Sequence, residues 1–222
     1  MARPREFDVD VALDRAMEAF WSQGYEATSL DELCAVTGLS RSSLYATFRS
    51  KREILLKAID RYVDLRTPRL AEALNKPLPV RAAFAGLLAD FIDQIVTGTG
   101  RKGCFLGNCA AELPRHDRTA HERVRQGLAQ NEATFRAALI RGRERGELRR
   151  DADVDALARF FVAGFQGLRL IGKSNPNRTV LEDVAATMLR CLDADETSQP
   201  QKKRRRIVHD RKNPATRAVA RH

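Results

Sequence analysis

Two capped helices joined by only three residues constrain this chain more than any other stretch. Ser29 and Glu32 form an S-x-x-E capping box, in which each side chain takes an orphan amide at a helix start. Leu30, Leu33 and Cys34 give that helix its buried side, and Gly38 ends it. Ser40 then caps a short helix through Phe48, so the link is Thr37-Gly38-Leu39. So tight a turn fixes the angle between the helices and predicts a helix-turn-helix. Upstream, Asp8 caps a first helix with Val9, Leu13, Ala16, Met17 and Phe20 on one face and Gly24 at its end. Downstream, Ser50 with Glu53 opens a fourth helix, carried by Ile54, Leu55, Ala58, Ile59 and Tyr62 to about Arg66. Leu33, Val36, Leu39, Leu44 and Phe48 can fill a small core, which leaves Arg41, Ser42, Ser43, Ala46 and Thr47 facing outward.

The rest of the chain up to residue 194 also reads as helix, at about 80–97, 104–113, 117–145, 153–173 and 178–192. Pro68 and Lys76-Pro77-Leu78-Pro79 punctuate the passage to a second unit. The expected organisation is all-α: a three-helix helix-turn-helix unit over 1–66, a second helical domain over 67–194, and a basic tail over 195–222. That tail is polar and nearly devoid of apolar residues, so burial cannot offset its ordering entropy, and it is expected to lack structure.

Charge separates the tail from the reading helix. The chain carries a formal net charge of +10, yet nine Lys/Arg against three Asp/Glu lie from Asp195 onward. The bulk charge therefore says little about the helix-turn-helix. Local charge says more: Ser40 to Lys57 holds five basic residues against one acid, whereas residues 1–39 hold three against eight. Positive charge gathers where phosphates would lie. An incidental charged face on a bland helical hairpin is the alternative. A sequence-indifferent binder driven by Lys202-Lys203-Arg204-Arg205-Arg206 is another.

Other classes find no support. Cys34, Cys104, Cys109 and Cys191 make no metal-ligand spacing and read as free thiols. There is no phosphate-binding loop, no dinucleotide fingerprint and no converging catalytic set, so no enzyme, cofactor or metal is expected. No stretch approaches a membrane span, and Met1 to Arg5 runs into charge without a signal-like apolar region. Neither export nor membrane insertion is expected.

The run Gly24-Tyr25-Glu26-Ala27-Thr28-Ser29-Leu30, followed by Thr37-Gly38-Leu39-Ser40-Arg41-Ser42-Ser43-Leu44-Tyr45-Ala46-Thr47-Phe48-Arg49-Ser50-Lys51, resembles the N-terminal domain of TetR/AcrR-family regulators. The resemblance covers about residues 8–62. It implies a double-stranded DNA operator as partner, with Thr28, Tyr45 and Lys51 on backbone phosphate. It also places Arg41, Ser42 and Ser43, with Thr47 beside them, at base-facing positions. Arg41 can donate two bonds to a guanine edge.

The family likeness further implies that 67–194 is a ligand-binding and dimerisation domain, with a homodimer built from the last two helices and a small-molecule inducer, in a cytoplasmic, nucleoid-associated protein of bacteria. Val154, Leu157, Phe161, Gly164, Leu168 and Ile171 recur at alternating steps of three and four, and Leu181, Val184, Ala185, Met188 and Leu192 form a second stripe. Both fit a four-helix seam, or else monomer core. The middle helices would enclose an apolar ligand pocket, with Phe91, Cys104, Phe105, Asn108, Phe135 and Phe165 as candidate contacts. Gly103-Cys104-Phe105-Leu106-Gly107-Asn108-Cys109 resembles a sixth helix of one subset of the family, some members of which sense electrophiles. Cys104 is then either a sensor thiol or a small buried apolar residue.

Overall fold

The computed structural model describes residues 7–194; the basic segment 195–222 lies outside them. Among the described residues the fold is all-helical: α1 (Val9–Gln23), α2 (Leu30–Thr37), α3 (Arg41–Phe48), α4 (Lys51–Leu74), α5 (Val80–Thr97), α6 (Phe105–Glu112), α7 (Arg118–Glu144), α8 (Val154–Ser174) and α9 (Arg178–Arg190). The caps form where the side chains predict them. The Asp8, Ser29, Ser40 and Ser50 side chains accept from amides in the first turns of α1 to α4. Gly38 takes a left-handed conformation, φ 73°, and turns the chain from α2 into α3. One half of the first capping box goes elsewhere, since the Glu32 carboxylate accepts from the Gln23 side-chain amide.

The fourth helix departs from expectation. It does not stop near Arg66 but passes through Pro68 and continues to Leu74. An internal proline removes one backbone hydrogen bond and crowds the preceding turn, a cost of about 3 kcal/mol. Burial beyond it carries the helix on. Tyr62, Arg66, Leu70 and Leu74 follow one another at i, i+4; Leu74 is buried and Leu70 packs against the same apolar cluster. Arg141 of α7 caps the far end by donating to the Leu74 carbonyl and to Asn75 Oδ1.

Two apolar cores result. The first gathers α1 to α4 and also Cys104, Phe105, Leu106 and Cys109 from α6 and its approach, with Ala120 and Val124 from the start of α7. The second joins the end of α4 to α5, α8, α9 and the rest of α7. A line at residue 66 therefore cuts a continuous helix whose two ends serve different cores. Where α7 crosses α4 and α6, a Cβ on Gly127 would stand 2.7 Å from Val63 Cγ2 and 2.8 Å from Leu106 Cδ1. Only glycine lets these three helices approach so closely.

Candidate nucleic-acid interface and ligand cavity

Helix α3 is anchored by two residues. Leu44 and Phe48 are buried against the first core, and everything on the opposite side looks outward. Arg41, Ser42 and Tyr45 are exposed, with Ser43 and Thr47 half-buried beside them. The Arg41 guanidinium is held 2.8 Å from Asp31 Oδ1 of α2. This exposed pair restrains the arginine without burying it. The hydroxyls of Ser40, Ser42 and Ser43 meet at 2.9 Å, and Thr47 Oγ1 donates to the Ser43 carbonyl at 2.8 Å. Lys51 starts α4, its Nζ 4.4 Å from the Tyr25 ring centroid and 3.4 Å from the Glu26 carbonyl.

Thr28 is placed differently from the surface phosphate contact that the resemblance implies. It is fully buried and donates its hydroxyl proton to the Gly24 carbonyl at 2.6 Å. In this arrangement it shapes the α1–α2 turn. Thus Arg41, Ser42, Ser43 and Tyr45 share one exposed face with Lys51 near the adjoining turn, and the Thr28 side chain is not part of that surface.

Several contacts that hold this surface in place escape sequence reasoning because their partners are distant along the chain. Glu112, at the end of α6, accepts from the Glu26 amide at 2.7 Å and thereby holds the turn on which Lys51 rests. Arg52 makes a two-pronged pair with Asp117, at 2.8 and 2.6 Å, and Asp117 also caps α7 through the Ala120 amide. Arg49 ends α3 with φ 66°, an unusual conformation for a residue with a side chain.

Comparison with known proteins identifies the scaffold. "Bacterial regulatory proteins, tetR family" matches residues 12–58, and "Tetracyclin repressor-like, C-terminal domain" matches residues 81–188. The uncharacterized HTH-type transcriptional regulator YezE of Bacillus subtilis (strain 168) is 32% identical over 194 residues, 87% of this chain and 100% of that one. The chain belongs to the TetR family of DNA-binding transcriptional regulators. The HTH-type transcriptional repressor ComR of Escherichia coli (strain K12) is 33% identical over 190 residues, 85% of this chain and 90% of the relative. A cysteine mutant of the TetR family transcriptional regulator CifR, solved with 26-bp double-strand operator DNA, superposes with a TM-score of 0.76 at 29% identity, covering 85% of this chain and 98% of that one.

In this TetR-family chain two cavities meet at the start of α6. The larger, about 680 Å³, is lined by Trp21, Gly103, Asn108, Glu112, Leu170 and Lys173 among others. The smaller, about 290 Å³, lies between α4, α5, α7 and α8 and is lined by Phe91, Phe135 and Phe165. Cys104, Gln166 and Arg169 line both. Cys104 is buried at the α6 N-cap, with Gln166 Nε2 at 3.3 Å and the Tyr62 hydroxyl at 3.9 Å from its sulfur. Burial, with Cys104 next in effect, pushes the Tyr62 phenol up to about 12, so it stays neutral and donates. Of the sequence-derived ligand contacts, Phe91, Cys104, Phe135 and Phe165 reach the smaller cavity and Asn108 the larger. Phe105 reaches neither; it packs into the first core against Tyr62 and Trp21. Nor is the smaller cavity apolar in the way expected, because Arg66, Arg69 and Arg169 also line it.

The expected dimer stripes are largely monomer core. Val154, Phe161 and Leu168 are buried, as are Leu181, Ala185, Met188 and Leu192, while Leu157 and Val184 are half-buried and Ile171 is exposed. Gly164 faces Met188 of α9 inside the same chain. A different stripe of α8 is left uncovered: Ala156, Phe160, Ala163 and Leu170 are exposed, with Gly167 on the same face. Leu170 is 72% exposed.

Two carboxylates link the packing of this head to acidity. The Arg61 guanidinium holds the Asp14 carboxyl below its ordinary value, and Arg52 does the same for Asp117, aided by the Ala120 amide. A carboxylate whose pKa is lowered by folding adds stability that is complete above its unfolded value, about 3.9, and vanishes as pH falls through the lower folded value. Asp117→Asn should therefore lower the urea midpoint at neutral pH and lower it by clearly less at pH ~3, below the unfolded value, where part of the wild-type contribution is already lost. Equal losses at both pH values would show that the carboxylate charge is not the stabilising element.

Proposed function

We propose that the chain is a homodimeric repressor, acting in the cytoplasm at the nucleoid, that reads a palindromic operator and is released by a small-molecule inducer held in its C-terminal domain over 67–194. The exposed face of α3, with Arg41, Ser42, Ser43 and Tyr45 beside Lys51, carries the DNA-reading half of this assignment. One such head reads only a few base pairs, and two related by a two-fold axis match successive major grooves. The uncovered α8 stripe supplies a surface for that pairing. The relative ComR is named a repressor, which supports that direction of action, and CifR was solved on operator DNA, which supports operator reading.

In this reading Tyr45 and Lys51 bind phosphate, Thr47 supports the base-facing residues, and Thr28 reaches phosphate only by releasing the Gly24 carbonyl. Inducer release would run through α6. Cys104 at its start borders both cavities, while Glu112 at its end holds the Glu26 amide. A ligand that favours another seat for α6 would shift the turn under Lys51 and populate a dimer whose heads no longer fit the operator.

The test begins with operators selected from a random DNA library. Arg41→Ala is expected to relax preference at one base position per half-site, at a cost of about 1–3 kcal/mol. Lys51→Ala should weaken binding to all sequences and reduce the salt slope by about one. Unchanged affinity in both variants, or loss of all binding on removing residues 195–222 alone, would sink the assignment.

A further inference from the structure

The smaller cavity contains a group of cations that DNA reading does not use. Arg66 and Arg69 of α4 and Arg169 of α8 line it together, and none of the three is ion-paired with a carboxylate among the described residues. Arg66 lies about 22 Å along α4 from Lys51 at 1.5 Å per residue, well back from the reading head. The one acid in the lining, Asp90, is exposed. Arg169 lies over the Phe91 ring at 4.3 Å and donates to the Gly103 carbonyl. Arg66 lies over Trp21 at 5.1 Å and over Tyr62 at 5.7 Å. Arg66 and Arg69 are exposed, as Asp90 is, and Arg169 is half-buried. The protein around the Arg66 guanidinium still lowers its pKa, opposed by Tyr62 and helped by the Arg169 and Arg69 charges. Like charges lining one concavity, without paired acids, are relieved by an anion.

We infer that this cavity takes a small organic anion as the regulator's ligand, with its carboxylate or phosphate between Arg66 and Arg169 and its apolar body against Phe91, Phe135 and Phe165. The volume, about 290 Å³, suits a molecule of that kind. Phe135 and Phe165 stack at 5.3 Å with only 17° between their planes, a wall for a flat or chain-like body. Asn131 and Gln166 stand in the same lining as neutral hydrogen-bond groups. The anion's role as the releasing ligand rests on the repressor reading above. Its route to the head is short: Arg169 and Trp21 Nε1 both donate to the Gly103 carbonyl, which directly precedes Cys104 and α6.

Trp21 is the only tryptophan, so its fluorescence reports on Arg66 without any operator present. Full-length protein is titrated with benzoate and with phenyl phosphate, at constant ionic strength, and with benzamide as the neutral counterpart. At least one anion should produce a saturating change in Trp21 emission, with benzamide at least about tenfold weaker, as expected for loss of a charge-assisted pair. Arg169→Gln should weaken the anion by at least about tenfold while the melting temperature holds. Arg66→Gln carries the same expectation, so misfolding of one variant leaves the other to decide. Absence of a response to both anions, equal binding of benzamide, or undiminished binding by a folded arginine variant would overturn the site. Operator release is measured separately, by anisotropy of labelled operator. Anion binding without release overturns the effector role. Failure to bind any operator refutes the repressor reading and leaves the fluorescence result to stand alone.

Discussion

Replacing Leu170 by glutamate is expected to yield a folded monomer whose affinity for a palindromic operator is lower by more than about a hundredfold, because the second head no longer binds as a tethered partner. Leu170 is 72% exposed, so the substitution removes almost no packing within the chain. In a two-fold interface the same change appears twice, and two new carboxylates would have to be stripped of water at an apolar contact, a cost that Lys173, one turn along each helix, offsets only in part. Ala163 and Gly167, on the same face, have small side chains that would let two copies of α8 approach, while Phe160 and Leu170 bring the apolar area. Sedimentation at micromolar concentration checks the mass, and circular dichroism checks that the helices persist. A Leu170→Glu protein that remains dimeric and binds operator normally would place the pairing surface elsewhere. Phe160→Glu, ten residues and nearly three turns away on α8, tests the same face independently.

How far this surface could be read from sequence is instructive. Helix starts were legible because a cap is local: Ser29, Ser40 and Ser50 each bond an amide three residues on. The turn at Gly38 is local in the same sense. The stripe on α8 was not legible, because the helix is apolar on two sides. Phe161 and Leu168 recur with the same three-four rhythm as Phe160 and Leu170, and rhythm alone does not say which side meets the monomer and which a partner. The end of α4 lies beyond its sequence expectation because Pro68, a strong local stop, is outweighed by Leu70 and Leu74 meeting a core built from residues far along the chain. The cavity arginines are hidden in the sequence for a related reason. An arginine in sequence reads as a solvated charge, and only the crossing of α4 with α8 brings Arg66 and Arg169 to one space.

Leu44→Ala should abolish operator binding while leaving most of the molecule folded. Helix α3 has eight residues, too few to be stable alone, and only Leu44 and Phe48 bury side chains from it. Leu44 is 1% exposed and sits in the first core. Truncation to alanine costs about 2–5 kcal/mol through lost burial and the cavity left behind. That cost falls on an element whose outward face makes mostly local bonds, among Ser40, Ser42 and Ser43 and from Thr47 back to Ser43. The Arg41–Asp31 pair is exposed on both sides and adds little to hold it. Detachment of α3 is therefore a cheaper response than global unfolding, since the second core shares none of these residues. Hydrogen exchange should show amides of residues 41–48 losing protection while those of α8 keep theirs, and operator affinity should fall by more than the loss of global stability accounts for. If α3 and α8 amides instead lose protection together and to the same degree, the two cores unfold as one unit, and the reading helix has no independent freedom for a ligand to exploit.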